Sequence, residues 1–163
     1  MDLYEILDRL EVAYEQVEHS PVYTVAEAMA LGRALEGTEC KNLFLRGQGR
    51  YFLAILPSQK QADLKAIARS AGVKRLSFAG PDELEQLLGL HPGSVSPFGV
   101  IHDTENRVAL LLDRDLEGRR LLFHPNVNTK TLSIGWADLL RFFADRQHSW
   151  QTGTLSKETE ERT

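Results

Sequence analysis

The stretch KNLFLRGQGRYFLAILP, residues 41–57, constrains the fold more than any other part of the chain. Two apolar runs flank RGQGR, whose glycines permit the positive φ angles of a tight turn, so the spacing predicts a β-hairpin. The first run reads as a buried strand, with Lys41 and Asn42 at its mouth.

Helices alternate with strands around this hairpin. Leu3, Ile6, Leu7, Leu10 and Tyr14 fall at helical spacing behind Asp2, which suits an N-cap, and predict a helix over 2–15. A short strand is expected around YEQVEH. Thr24 and Glu27 form a capping box for TVAEAMALGRAL. SQKQADLKAIARSAG predicts a helix with Leu64, Ile67, Ala68 and Ala71 inward, Lys65 and Arg69 outward, and Gly72 as its stop. RLSFA reads as a strand, and PDELEQLLG as a helix opened by Pro81. RVALLLD and RRLLFHP read as strands joined by RDLEG, then come the strand KTLSIG and the helix WADLLRFFADR with Leu139, Leu140 and Phe143 inward. Hairpins without strict βαβ alternation point to an α+β fold around a mixed sheet. The 163 residues suit one domain over 1–150. Residues 151–163, QTGTLSKETEERT, lack apolar periodicity and are expected to form a disordered polar tail.

Composition narrows the function classes. Apolar residues make up 42% and charged residues 26%, as in soluble globular chains. No stretch approaches the roughly 20 apolar residues of a membrane span. The acidic, amphipathic N-terminus is unlike a signal peptide, so a cytoplasmic location is expected. The single cysteine, Cys40, precludes an internal disulfide and reads as a buried thiol in a reducing compartment. The net charge of -4 argues against coating a long duplex, because such binding rests on neutralising phosphates. Gripping only the end of an RNA remains compatible with it.

No GxxxxGK[ST], GxGxxG, HExxH or cysteine pair is present, and no metal or cofactor is expected. Three polar segments remain. Lys41 and Asn42 either mark a strand boundary or hold an ammonium at a pocket rim, where it can neutralise a phosphate or a developing oxyanion. GSVSP, residues 93–97, is either a connector or a loop whose backbone N–H groups face a carbonyl oxygen, with Gly93 allowing close approach and Pro97 stiffening the far end. His124, Asn126, Asn128 and Thr129 form either a turn or a polar site in which His124 exchanges a proton near neutral pH.

KNLFL, the GxxxP pattern in PGSVSPFG, and FHPNVNTKTLSI occur in this order with suitable elements between them. Together they resemble the YbaK/prolyl-tRNA synthetase editing-domain superfamily, within it the freestanding prolyl-tRNA deacylases of the ProX type, over about residues 1 to 148. The resemblance implies a barrel-like mixed sheet surrounded by helices. It also implies hydrolysis of the ester that joins a wrong amino acid to the 3′ end of tRNA(Pro), most often alanine. Cysteinyl-tRNA(Pro), another mischarged tRNA, or a non-catalytic tRNA-binding role beside a synthetase are the alternatives.

On that resemblance Lys41, Gly93 and His124 are the catalytic candidates, and Asn42, Ser94, Val95, Pro97 and Asn126 line the substrate site. VYT, residues 22–24, adds Tyr23 and Thr24. Apolar size discrimination supplies only about 1–3 kcal/mol, which is why a small second sieve is needed. Val95, Met29 and Leu31 are candidates to line it, with ordinary core packing as the alternative. The absence of an obvious carboxylate base agrees with help from the substrate's own 2′-hydroxyl. The partners implied are the acceptor end of tRNA(Pro) and prolyl-tRNA synthetase. Lys60, Lys65, Arg69, Lys74 and Arg75 form the densest basic segment, suited to an acceptor stem or to plain solvation.

Overall fold

The computed structural model describes residues 2–21 and 35–157. The capping box at Thr24, the helix it would open, and Tyr23, Met29 and Leu31 lie outside these residues.

The expected hairpin is present as β2 (Thr38–Gly47) and β3 (Arg50–Pro57), paired antiparallel from Cys40↔Pro57 to Gly47↔Arg50. Its turn places Gln48 at φ 51° and Gly49 at φ 74°, the left-handed pair that matches the twist of a two-residue hairpin. On one side β3 pairs with β5 (Val108–Asp113) in parallel, and β5 with β8 (Trp150–Gly153). On the other side β2 pairs in parallel with β6 (Arg120–Phe123) through Thr38↔Leu121 and Glu39↔Leu122. Then follow β7 (Lys130–Gly135) and β1 (Glu15–Glu18), both antiparallel. The two-residue β4 (Ser77–Phe78) shares the same edge of β2 as β6, further along, through Leu45↔Phe78 and Arg46↔Ser77. The result is the expected α+β domain with a mixed sheet. Its ladder runs from β1 to β8, with no pairing between those ends among the described residues.

Both faces of the central strands are buried. Leu53 and Ile55 of β3 join a large core with Ile6, Leu7, Phe98, Phe142 and Phe143, while Phe52 and Ala54 join a smaller one with Ile67, Ala71, Leu111 and Leu155. The helices are α1 (Leu3–Arg9), α2 (Leu64–Ala71), α3 (Pro81–Leu88) and α4 (Trp136–Asp145). Asp2 caps α1 by accepting from the Glu5 amide, and Gly72 ends α2 in the left-handed conformation.

Several sequence expectations need correction. The first helix stops at Arg9, because Glu11 takes φ 56°, so Tyr14 lies beyond it. Leu64 is 40% exposed, since Ala66, Ile67 and Ala68 fill the inward face of α2. RVALLLD and RRLLFHP are strands, but they pair with different neighbours rather than with each other. The ordered chain also continues past residue 150. β8 takes its backbone hydrogen bonds from β5, and Leu155 is fully buried in the smaller core. A strand needs backbone partners, which polar side chains do not disclose, and one apolar residue anchors the segment. Residues 158–163 lie outside the described range.

Candidate active site

The site forms where β2 changes partners. Residues 38–39 pair with β6 and residues 45–46 with β4, so the stretch between them has β3 alone beside it among the described residues. Carrying the β2–β6 register two residues further brings Lys41 level with His124, at the point where the two strands separate. Side chains alternate along β2. Cys40 and Phe44 pack with the large core and Leu43 and Leu45 with the smaller one, so Asn42 and Lys41 lie on opposite faces. Lys41 is half-buried, and its ammonium has no ion-pair or hydrogen-bond partner among the described residues.

His124 is oriented by its own turn. Its Nδ1 lies 2.9 Å from the Lys130 carbonyl oxygen, which only accepts, so Nδ1 carries the hydrogen and Nε2 presents a lone pair. His19 stands beside it, with ring centroids 5.7 Å apart. The His19 ring donates from Nδ1 to the Ser20 carbonyl and accepts at Nε2 from the Thr131 hydroxyl, each at 2.9 Å.

The GSVSP loop and the FHPNVN turn meet. Gly93 and Ser94 lie in a 3-10 turn, Pro92–Ser94, and Pro97 opens a second one, Pro97–His102. Ser94 is buried and its amide and hydroxyl both donate to the His91 carbonyl; Ser96 Oγ accepts from the Phe98 amide. Asn126, at φ 64°, donates from Nδ2 to the Phe98 carbonyl oxygen at 3.2 Å. Phe98 and Phe123 stack edge-to-face at 5.8 Å. A Cβ on the exposed Gly93 would lie 3.6 Å from Asn128 Nδ2. Val95 and Pro97 pack inward, Val95 against the large core.

Two carboxamide oxygens, Asn42 Oδ1 and Asn126 Oδ1, are buried without a hydrogen-bond donor. Buried acceptors of this kind are costly and rare. The Cys40 thiol is pushed up to about 12, by burial first, with a bond from the Leu122 amide pulling the other way. It stays protonated, directed at the Thr38 carbonyl oxygen, and is no nucleophile.

Three features escaped the sequence reading. His19 and Thr131 reach His124 only through the β1–β7 pairing. Asp113 is 1% exposed, and its Oδ2 has no partner. By register and alternation Asp113 lies on the Lys41 face, two strands across, about 10 Å away. An aspartate closing the apolar run VALLL was the available signal. Lys60 pairs with Asp115, while Lys65 and Arg69 project from the outer face of α2.

Strand register thus brings Lys41 level with His124, and Asn126 ties the FHPNVN turn to the segment that follows the GSVSP loop. Residues 19–142 match the family model of the aminoacyl-tRNA editing domain, and the chain belongs to that family, among the aminoacyl-tRNA editing deacylases. Its sequence is 38% identical over 136 residues to the prolyl-tRNA editing protein ProX of Acetoanaerobium sticklandii, covering 82% of this chain and 83% of the relative. It is 35% identical to the prolyl-tRNA synthetase associated domain-containing protein 1 of Danio rerio (91% and 83% covered) and 32% identical to the multifunctional Ser/Thr-tRNA deacylase ProXp-y of Escherichia coli (80% and 76%). A solved structure described as a candidate trans-editing enzyme for prolyl tRNA synthetase shares the fold, with a TM-score of 0.71, 24% identity, and 89% and 87% of the two chains covered. No helix among the described residues is long and apolar enough to cross a membrane.

Proposed function

We propose that this protein hydrolyses the ester of mischarged tRNA(Pro), with alanyl-tRNA(Pro) as the preferred substrate. The alignment of Lys41 with His124 carries this reading, each offering an uncommitted polar atom at the same end of β2 and β6. The terminal adenosine of the tRNA enters between them. Lys41 holds a phosphate or hydroxyl of that nucleotide, and Asn126 accepts a hydrogen bond from the α-ammonium of the amino acid, while Asn42, on the opposite face of β2, supports the strand from behind. Backbone N–H groups of Gly93, Val95 and Ser96 face the carbonyl oxygen, where they stabilise the tetrahedral oxyanion.

A water oxygen forms a bond to the carbonyl carbon, assisted by the 2′-hydroxyl of the substrate, and the bond from that carbon to the ribose oxygen breaks. The ribose oxygen leaves with a proton, giving free amino acid and tRNA. His124 Nε2 accepts a hydrogen bond from the water or the ribose hydroxyl. Val95 closes the side-chain pocket, and Tyr23 and Thr24 complete the substrate side. Lys65 and Arg69 meet the acceptor stem; Lys60, already paired with Asp115, contributes less. Prolyl-tRNA synthetase is the proposed source of the substrate.

A second reading, hydrolysis of a seryl ester, is favoured by the unpartnered carboxamide oxygen of Asn126, which suits a hydroxyl donor as well as an ammonium. One assay tests both. Deacylation rates are measured with alanyl-, cysteinyl-, seryl- and prolyl-tRNA(Pro), for the wild type and Lys41→Ala. The expected result is fastest turnover of the alanyl ester and a loss of about 10–100-fold in kcat/KM for Lys41→Ala, the size of one hydrogen bond to a charged group. Equal rates for the two proteins would overturn the role of Lys41, and faster seryl turnover would replace alanine by serine.

A further inference from the structure

The alignment of Lys41 with His124 hangs on very little sheet. β2 and β6 share two residue pairs, Thr38↔Leu121 and Glu39↔Leu122, whereas β2 and β3 share eight. A parallel ladder that short fixes its own register weakly, and a slip of one residue would set Lys41 and His124 on opposite faces of the sheet. Something beside the ladder must hold it.

Ser133 of β7 sits opposite Leu122 and is fully buried. Its hydroxyl donates to the Glu36 carbonyl oxygen at 2.6 Å, just before β2 begins, and accepts from Arg120 Nε at 2.7 Å, at the first residue of β6. Arg120 also donates from Nη2 to the carbonyl oxygens of Ser133, at 3.1 Å, and Ala13, at 3.3 Å. One hydroxyl thus ties the entry of β2 to the entry of β6. The charge of Arg120 polarises that hydroxyl, which strengthens the bond it passes on to Glu36. The residue between is fitted to the contact. Gly37 takes φ 151°, and a Cβ there would lie 2.8 Å from the Leu122 side chain, so glycine lets the two strands come this close. Thr131, two residues earlier on the same face of β7, holds His19 beside His124.

Burial of a hydroxyl and part of a guanidinium is costly, and an apolar residue would fill the place of Ser133 without needing any partner. We propose that Ser133 and Arg120 are positioning residues for the reaction: they lock the register of β2 on β6 and thereby hold Lys41 level with His124. The inference rests on the deacylase reading of the Lys41 site and names what sets its geometry. Both residues act through Lys41 rather than on the substrate. A displacement of about 1 Å at a group that positions the reactants can cost up to about 10²-fold in rate, so a small loosening of this short ladder reaches the chemistry.

The test compares Ser133→Ala, Lys41→Ala and the double variant in the full chain, with Leu155→Ala as a control that loosens the smaller core instead. Measured well below the Tm of every variant are kcat/KM for the ester turned over fastest and amide hydrogen exchange along the sheet. Ser133→Ala is expected to lower kcat/KM about tenfold, a part of the loss in Lys41→Ala, and Leu155→Ala to leave it within about twofold. Because Ser133 acts through Lys41, its removal should cost less than about twofold once Lys41 is alanine. Ser133→Thr, which keeps the hydroxyl, should recover most of the activity. Exchange in Ser133→Ala should speed up about tenfold or more in the β2–β6 ladder, while the β3–β5 ladder stays protected. Unchanged kcat/KM in Ser133→Ala, or the same loss with and without Lys41, would overturn the proposal and leave the deacylase reading intact. If Ser133→Ala does not fold, Arg120→Met, which keeps the stem and removes the donors, is held to the same outcomes. In a protein that hydrolyses none of the esters, selective opening of the β2–β6 ladder would uphold the lock and overturn the deacylase reading, and uniform exchange would overturn both.

Discussion

His124 Nδ1 donates a hydrogen bond to the main-chain carbonyl of Lys130, 2.9 Å away, across the turn that joins β6 to β7. That bond fixes the ring's tautomer and its direction, and it leaves Nε2 as the working nitrogen. Both histidine nitrogens therefore have defined roles before any substrate arrives.

The first prediction concerns that ring. His124→Ala should lower kcat for the alanyl ester by about 10²-fold or more, the usual loss when a positioned proton acceptor is removed. His124→Gln keeps hydrogen-bonding groups but titrates in no accessible range. If His124 acts by accepting a proton, Gln should resemble Ala and alter the pH–rate profile. Full activity in His124→Gln with an unchanged profile would assign the residue to orientation alone.

The second prediction concerns a buried pair away from the site. His148 Nε2 lies 2.9 Å from Asp103 Oδ2, and both side chains are almost completely buried. Asp103 also accepts from the amides of Arg107 and Val108. Burial alone would raise its carboxyl, but His148 and the two amides outweigh that and hold it below its ordinary value. A depressed carboxyl contributes stability above its unfolded value and loses it as pH falls through the folded one. Stability should therefore decline from about pH 4 downward, where an unfolded aspartate begins to protonate. Asp103→Asn should remove this part of the acid dependence and cost about 1–3 kcal/mol at neutral pH, because a buried donor loses its acceptor. Chemical denaturation of both proteins between pH 2 and 7 checks this; parallel curves would contradict it.

The third prediction tests the C-terminal segment. Leu155 is fully buried beside Ile67, Ala71 and Leu111, and the Asp63 amide donates to its carbonyl oxygen. Leu155→Ala should destabilise the domain by about 2–5 kcal/mol in urea unfolding. Truncation after residue 149 should cost more, since β5 would lose its edge partner. A truncated chain as stable as the whole would show that β8 adds nothing to the fold.

Much of the local structure was legible. The hairpin turn, the Asp2 cap, the Gly72 stop and Pro81 at the start of α3 follow from backbone chemistry acting within a few residues. The three polar segments were legible too, because each interrupts an apolar run. The extent of the ordered chain was not: QTGTLSK reads as polar coil, yet Gln151 and Thr152 pair with Leu111 and Leu112. Nor did the sequence disclose Asp113 or His19, whose neighbours come from distant strands.

The order of apolar and polar residues alone determined which elements form and which side chains are available for chemistry, since helix and strand periodicity are properties of neighbouring residues. Tertiary structure decided which of those side chains share a site. Lys41 stands level with His124 only because β2 and β6 pair in parallel, 83 positions apart in the chain for each matched pair. Such register is chosen by burial of both sheet faces at once, a condition that no local stretch of sequence contains.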